Sequence, residues 1–577
     1  MRFFQHYLAL AGVIALGGVL RFAQLDFKSL WLDEVITALF SLGRNYYDIP
    51  LDAVFKIEQL KEIFTLNPET TCSQISHNIA IQSTHPPLFF CLMHRWLIWL
   101  NQFNWFSKFE GNWGLAWQLR SLPAFFGVAS IATGYWLNRL AFSPAAGLIA
   151  AAVMAVSPYS VYLSQEARHY TLPVLLITLA LVALILIQQD LKHGQRRRPL
   201  VWISWVIVNT LGLYVHYFCI LALIAQLLVL IFNFNSPSKN LKYQFQNSLI
   251  FGLVPFALFI PWLPILSGHL GRSETNWLPQ PHNIAPLYQT LAGWLTMVVM
   301  LPVEKQPLWI IIPAGFFMLL FGLWIGWLFL TGLKKLWSNL ETQPATLTLL
   351  SFTLWVLLAF LAIVYLLNKD ITIAPRYHFV YYPAFCALLG ASLWKMQNTW
   401  VKISKKMPFT LWAAPYTLLF VGIISCLCVT SDLAFKKPFH PQRVGLDMSL
   451  EPAVPRLVVV AYKTFQDVAL GVSFALEIHK HDLPEKADSY MAFLQQETNY
   501  NQVWQNLSQL PLPALPLNLW VVAPELLQQQ DYPQQLFALT QSTPESQQSI
   551  VCTIDPTHYY RVGVPYQLYR CLPGQKS

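Results

Sequence analysis

The feature that most constrains this 577-residue chain is a succession of apolar stretches, each about 20 residues long, between residues 7 and 430. Such a stretch crosses a hydrocarbon core of roughly 30 Å as a helix, the one open-chain form that satisfies its own backbone where water is missing. Only 11% of the residues are charged, against about 25% in soluble domains. The expected fold class is therefore an all-α polytopic membrane protein. Eleven spans are drawn, over 7–23, 117–138, 145–163, 171–188, 200–217, 218–234, 248–266, 308–331, 345–367, 378–396 and 409–430.

Charge sets the orientation. Alternate connections carry Arg139, then Lys192 with Arg196, Arg197 and Arg198, then Lys239 and Lys242, then Lys334 and Lys335, and last Lys395, Lys402, Lys405 and Lys406. Lysine and arginine collect in cytoplasmic loops, so the N-terminus is read as cytoplasmic and parity puts everything after residue 431 outside. The expected location is an inner or plasma membrane, crossed many times. Residues 1–431 carry a net +12 and residues 432–577 a net −3. A basic excess confined to the loops of an apolar chain is a topogenic signal, which excludes nucleic acid as a partner.

Two apolar segments do not fit the alternation. Leu88–Phe106 is interrupted by His94, Arg95, Asn101 and Gln102 and is read as an interfacial helix on the outer face, and Ile284–Leu301 in the same way. The organisation that results is a membrane module, 1–431, with outer loops 24–116 and 267–307, followed by a small soluble α/β domain, 432–577. In that domain Arg456–Lys463 and Asn518–Glu525 read as buried strands, each followed by a helix-like stretch, and Tyr559–Cys571 as a further strand. Cys91, Cys219, Cys386, Cys426 and Cys428 fall in apolar segments and read as small hydrophobes. Cys552 and Cys571 fall in the polar tail, where they can pair in an oxidising compartment.

Candidate chemistry lies on the outer side of this topology. Asp33 and Glu34 form an adjacent carboxylate pair just beyond the first span, among Leu30, Trp31, Leu32, Val35 and Ile36. Partial desolvation there raises a carboxylate's basicity toward that of a general base. His85 precedes a Pro86-Pro87 turn that fixes its direction. Arg120, Arg168 and Arg376 recur at outer helix ends, opposite the basic loops, with Glu166, Tyr170 and Tyr377 beside them. One such arginine is a snorkelling side chain, whereas several at headgroup depth suit a lipid-borne phosphate, which guanidinium binds through two parallel bonds.

The Trp-x-Asp-Glu loop, the His-Pro-Pro-Leu turn, the Arg-Ser-Leu-Pro-Ala start of the second span, the Ser-Gln-Glu-Ala-Arg-His-Tyr helix end and the late Pro-Arg-Tyr resemble the bacterial glycosyltransferases related to protein O-mannosyltransferases and aminoarabinose transferases. The resemblance is strong over about residues 7–175, thinner to 431 and only architectural in the tail. It implies a GT-C fold with an extracytoplasmic active site, using a polyprenyl-phosphate sugar with inversion. Residue by residue, it implies Asp33 as the catalytic acid or base with Glu34 its partner, and Arg120, Arg168 and Arg376 near the lipid phosphate. His85 stands where aminoarabinose transferases have a lysine, so phosphate binding there depends on the imidazole's charge.

In an inverting displacement a carboxylate takes the acceptor's proton and cations hold the leaving phosphate. No cofactor or metal is called for, because a lipid phosphate already leaves well. The expected partners are a polyprenyl-phosphate sugar donor and a lipid, glycan or protein acceptor offering a hydroxyl or amine. The alternatives are a flippase for a lipid-linked sugar and a glycan polymerase or ligase. Transport paths place charge near the membrane midplane, whereas these charges gather at one rim.

Overall fold

The computed structural model describes residues 2–102, 113–193, 198–232, 241–272, 274, 277–403, 409–481, 487–497, 499–540 and 549–573. Of the basic loop residues, Arg196, Arg197, Lys239, Lys405 and Lys406 lie outside the described residues, as do 103–106 at the end of the expected interfacial helix.

In chain order the helices are α1 (Arg2–Phe22), α2 (Leu32–Ser41), α3 (Leu60–Ile63), α4 (Cys72–Gln82), α5 (Leu88–Gln102), α6 (Trp113–Ala141), α7 (Pro144–Ala155), α8 (Pro158–Ser164), α9 (Thr171–His193), α10 (Pro199–Val215) and α11 (Cys219–Phe232). They continue as α12 (Leu241–Phe259), α13 (Leu263–Leu270), α14 (Ala285–Val298), α15 (Leu308–Trp337), α16 (Gln343–Leu366), α17 (Tyr382–Ile403), α18 (Phe409–Thr430), α19 (Pro441–Met448), α20 (Phe465–His481) and α21 (Tyr500–Gln509). Helix occupies each segment expected to span. Among the described residues five helical stretches are long and apolar enough to cross a membrane: Phe4–Phe22, Thr171–Leu191, Ile250–Leu270, Leu308–Trp337 and Gln343–Leu366. Counting α7 with α8 makes six, and α10, α11 and Ala414–Thr430 are shorter apolar helices. The chain is a multi-pass membrane protein. The described part of α5 has 15 residues, about 22 Å of helix.

Two compact units divide the chain. The first comprises Met1–Phe27, Thr84–Phe89 and Leu119–Lys436. Within it, ends assigned to the same membrane face meet one another. His6 Nε2 lies 2.9 Å from Tyr135 Oη, Arg139 donates to Tyr7 Oη at 3.1 Å, and Gln189 donates to the Leu140 carbonyl at 3.1 Å. Each of these pairs joins ends read as cytoplasmic.

The expected span 145–163 is not continuous: α7 and α8 are bent by 60° at the intervening residues. Pro158 opens α8 under a Ser157 cap, whose Oγ accepts from the Ser160 amide. Proline has no N–H to give the carbonyl four residues back, which is that of Met154. Arg21 takes its place. Its Nη2 donates to Met154 O (2.8 Å) and Ser160 Oγ (2.8 Å), and its Nη1 to Ala155 O (3.0 Å) and Gly17 O (2.9 Å). The guanidinium is wholly buried. Gly127 permits this, since a Cβ there would lie 2.9 Å from Arg21 Nε and 2.2 Å from Ser164 Oγ.

The second unit comprises Lys28–Ser83, Phe90–Gln118 and Lys437–Ser577. Its strands are β1 (Phe55–Lys56), β2 (Arg456–Tyr462), β3 (Ser489–Gln495), β4 (Pro511–Leu512), β5 (Leu517–Val522), β6 (Gln535–Thr540), β7 (Ser549–Arg561) and β8 (Pro565–Cys571). They form one sheet in the order β1-β3-β2-β5-β8-β7-β6-β4. β2 lies parallel to both β3 and β5, and β5 is antiparallel to β8. β2 and β5 are buried at every position, as continuous Val and Leu runs require of strands covered on both faces.

Three expectations are corrected in this unit. Tyr559–Cys571 is not one strand but the corner of a hairpin. β7 ends at Arg561, the chain turns at Gly563 (φ +83°), and β8 returns; a Cβ at Gly563 would lie 2.4 Å from the Pro438 carbonyl. No helix follows β5, since a short 3₁₀ turn at Gln529–Asp531 leads directly into β6. Cys91 is not a packed thiol: it forms a disulfide with Cys72, and Cys552 pairs with Cys571 directly across β7 and β8.

Candidate active site

Asp33 and Glu34 do not lie in a loop; they open α2. Trp31 is extended, and its carbonyl accepts from the Glu34 (2.8 Å) and Val35 (3.0 Å) amides. Glu34 Oε2 reaches back toward the Trp31 N–H at 3.4 Å. Glu34 is 1% exposed and engaged in starting the helix, whereas Asp33 keeps 9% of its surface accessible. Both carboxylates sit in the first turn of α2, at the positive end of its dipole. The Trp31 ring also carries the Lys437 ammonium, 4.1 Å from its centroid.

A separate constellation forms in the first unit. α8 ends at Ser164, and Gln165–Tyr170 turns before α9, with the Arg168 amide closing onto the Glu166 carbonyl at 2.7 Å. Gln165 Nε2 fixes the turn by donating to Ala23 O at 2.7 Å. This turn brings Arg168, His169 and Tyr170 against His85, His216, Arg376 and Tyr377. The His169 ring lies 4.9 Å from that of His85 and 4.8 Å from that of His216. Arg376 lies over Trp277 at 5.1 Å and Tyr377 at 5.7 Å, and Arg168 over Tyr170 at 5.8 Å. Tyr159 Oη holds the Arg376 carbonyl at 3.3 Å.

Hydrogen bonding fixes the protons. Arg168 Nη2 lies 3.1 Å from His85 Nε2. Guanidinium only donates, so that nitrogen bears no proton and His85 is the neutral Nδ1–H tautomer. The Phe218 amide likewise donates to His216 Nδ1 at 3.0 Å. Burial, then the Arg168 charge, hold the His85 pKa well below the usual imidazole value; burial, then the His216 and His85 rings, do the same for His169. The cations of this cluster are therefore Arg168 and Arg376. The imidazoles are neutral packing and hydrogen-bonding groups, so the question of charge at His85 is answered toward neutrality.

Arg120 projects from α6, and its Nη1 donates to the Leu25 carbonyl at 2.6 Å, holding the chain just beyond α1. Glu166 is buried in the turn beside Arg168. Sequence reasoning missed His169, His216, Trp277 and Arg21. A signal for two of them was present: the outer ends read Arg-His-Tyr, Val-His-Tyr and Pro-Arg-Tyr-His, a recurring basic or imidazole group followed by tyrosine. Nothing in the sequence marks Arg21 apart from other basic span ends.

Residues 84–264 match the family model of dolichyl-phosphate-mannose-protein mannosyltransferases. No curated protein matches the sequence. The chain is similar in structure to ArnT from Cupriavidus metallidurans, both in the apo state and bound to undecaprenyl phosphate, with a TM-score of 0.50, 11% identity and 97% of each chain covered. A likeness to the Archaeoglobus fulgidus oligosaccharyltransferase has a TM-score of 0.47 and 14% identity, covering 81% of this chain and 61% of that one. The resemblance read from the motifs is borne out: the architecture is the GT-C fold of ArnT, mostly helical with a C-terminal sheet.

Proposed function

We propose that this protein is a membrane glycosyltransferase that moves a sugar from a polyprenyl-phosphate donor to an acceptor hydroxyl or amine on the extracytoplasmic face, with inversion. The observation that carries the reading is the pair of guanidinium groups, Arg168 and Arg376, held by neutral imidazoles and aromatic faces at helix ends in an ArnT-like fold. Two guanidinium groups brought to one place suit an anion, and in this fold family's chemistry that anion is the lipid phosphate.

The acceptor oxygen or nitrogen attacks the anomeric carbon, the bond from that carbon to the phosphate oxygen breaks, and the acceptor's proton passes to Asp33. Negative charge grows on the departing phosphate, where Arg168 and Arg376 stabilise it. Arg120 is assigned by its motif as a third phosphate ligand, with one N–H already given to Leu25. His85 orients Arg168 by accepting a hydrogen bond from it, Glu166, Tyr170 and Tyr377 support the arginines, and Glu34 fixes the helix that carries Asp33.

The module 1–431, with eleven spans and a cytoplasmic N-terminus, and the extracytoplasmic domain 432–577 complete the reading. Disulfides favour that side: both cross-links among the described residues lie in the second unit, while the buried free thiols Cys219, Cys386 and Cys426 and the half-buried Cys428 lie in the first. Cysteines introduced at 33 and 500 should react with an impermeant maleimide from outside and one at 196 only after permeabilisation.

A broken span with a buried arginine is also a transporter feature, which gives the flippase reading one observation of its own. Purified protein incubated with labelled polyprenyl-phosphate sugar and candidate lipid, glycan and protein acceptors decides. Label transferred to an acceptor supports the enzyme. Label that crosses proteoliposome membranes unchanged, with no transfer, supports the flippase.

A further inference from the structure

Open α/β sheets bind ligands outside the carboxyl ends of their parallel strands, where the strand order reverses. In the second unit the reversal falls at β2, which has β3 on one side, reached through α20, and β5 on the other. At the start of α20 and the end of β3 lies not a ligand but the chain's own segment 46–56. The Tyr46 ring is stacked flat on Phe465, the first residue of α20, at 4.6 Å and 4°, and Tyr47 meets the same ring edge-on at 5.8 Å. The Asp52 amide donates to Phe493 O at 2.9 Å, and Phe55 and Lys56 add a strand opposite Met491 and Tyr490. Lys56 closes the edge on Asp488 at 2.8 Å.

The chain from the end of α2 into this segment is fastened to both α2 and α4. Phe40 packs edge-on against Tyr46 at 5.7 Å. The Tyr46 amide donates to Gln82 Oε1 at 2.8 Å, and Asn78 Nδ2 donates to Gly43 O at 3.0 Å. His94 Nδ1 lies 2.8 Å from the Ser41 carbonyl at the end of α2. α2 itself packs along α20.

We infer that the soluble α/β domain positions the carboxylate helix, with Phe465 and Tyr46 as the positioning pair through which α20 holds α2. The binding edge of this sheet is here occupied by the segment that follows the helix carrying Asp33, so the domain belongs to the machinery of transfer and is not solely a platform for acceptors. The inference rests on Asp33 as the base.

Its test uses the full chain in lipid nanodiscs and two readouts: hydrogen exchange of the α2 amides, with β2 and β5 amides as the control for the domain's fold, and the split between kcat and donor KM. Phe465→Ala should speed α2 exchange and lower kcat, each at least about tenfold, with donor KM little changed and β2 and β5 still protected. Phe465→Tyr keeps the stack and should restore both. Unchanged α2 exchange in Phe465→Ala overturns the inference. So does loss of protection throughout β2 and β5 in the milder Phe465→Leu, because Phe465 would then hold the domain and not α2. Faster α2 exchange with unaltered kcat upholds the docking and instead removes Asp33 from the role of base.

Discussion

The two units solve the same problem, the burial of polar groups, by different means. In the first, backbone groups close on themselves in helices, and where a proline interrupts them an arginine from another helix supplies the missing donor; its cysteines among the described residues are unpaired thiols. In the second, a mixed sheet pairs chain segments more than 400 residues apart in sequence, and two disulfides each close a span of 19 positions. The contrast teaches where substitution is felt. Loss of a cross-link or an aromatic stack is local to the second unit, while loss of a cation in the first acts on binding.

The sharpest break of that comparison is Asp33→Asn, which should abolish transfer, a drop of at least about a thousandfold, while donor binding stays near normal. Near-normal turnover in the variant would remove Asp33 from the mechanism. Glu34→Gln should cost far less, since Glu34 acts through the helix start. Next in size, Cys72→Ser should destabilise the second unit by about 3 kcal/mol, read by thermal melting or protease resistance of that unit alone. Equal loosening of the first unit would erase the distinction between them.

Arg168→Ala should weaken polyprenyl-phosphate binding about ten- to a hundredfold, and Arg168→Lys should recover part of it, because an ammonium keeps the charge and loses the two-pronged fork. Unchanged titration in both Arg168→Ala and Arg120→Ala would end the phosphate assignment. The smallest effect is a null one with a sign. His85 and His169 have folded pKa values below the unfolded value, so the native state takes up fewer protons: stability is fully present above about pH 6.5 and is lost as pH falls below it. Donor affinity, carried by arginines, should stay flat from about pH 6 to 8. A fall in affinity centred near pH 6.5 would mean that His85 binds phosphate as a cation.

Much of this was legible in advance, for identifiable reasons. Spans are announced by composition over 20 residues, and the fully apolar runs of β2 and β5 announce central strands, so helices and core strands fell where expected. What escaped depends on partners distant in sequence. β1 is two residues long and exists only because β3 offers an edge. Cys91 reads as apolar until Cys72 is brought beside it. The helix start at Asp33 was hidden because Trp31, an unusual residue before a helix, precedes it. Of the candidate residues, the structure groups His85, Arg168, Tyr170, Arg376 and Tyr377, and their common trait, a place at helix ends on one predicted face, was already visible in the charge pattern.

The arginine that bridges the broken span also bears on how the protein is made. Arg21 lies near the end of the first helix, and beyond the Gly17 carbonyl of its own helix its carbonyl acceptors belong to residues 154 and 155, more than 130 positions later in the chain. Until then the guanidinium must reach for headgroups and water, since a cation left within the bilayer costs several kcal/mol. α1 is also among the least apolar of the candidate spans, with a mean hydropathy of 1.3. The seating of α1 is therefore completed only when α7 and α8 arrive beside it.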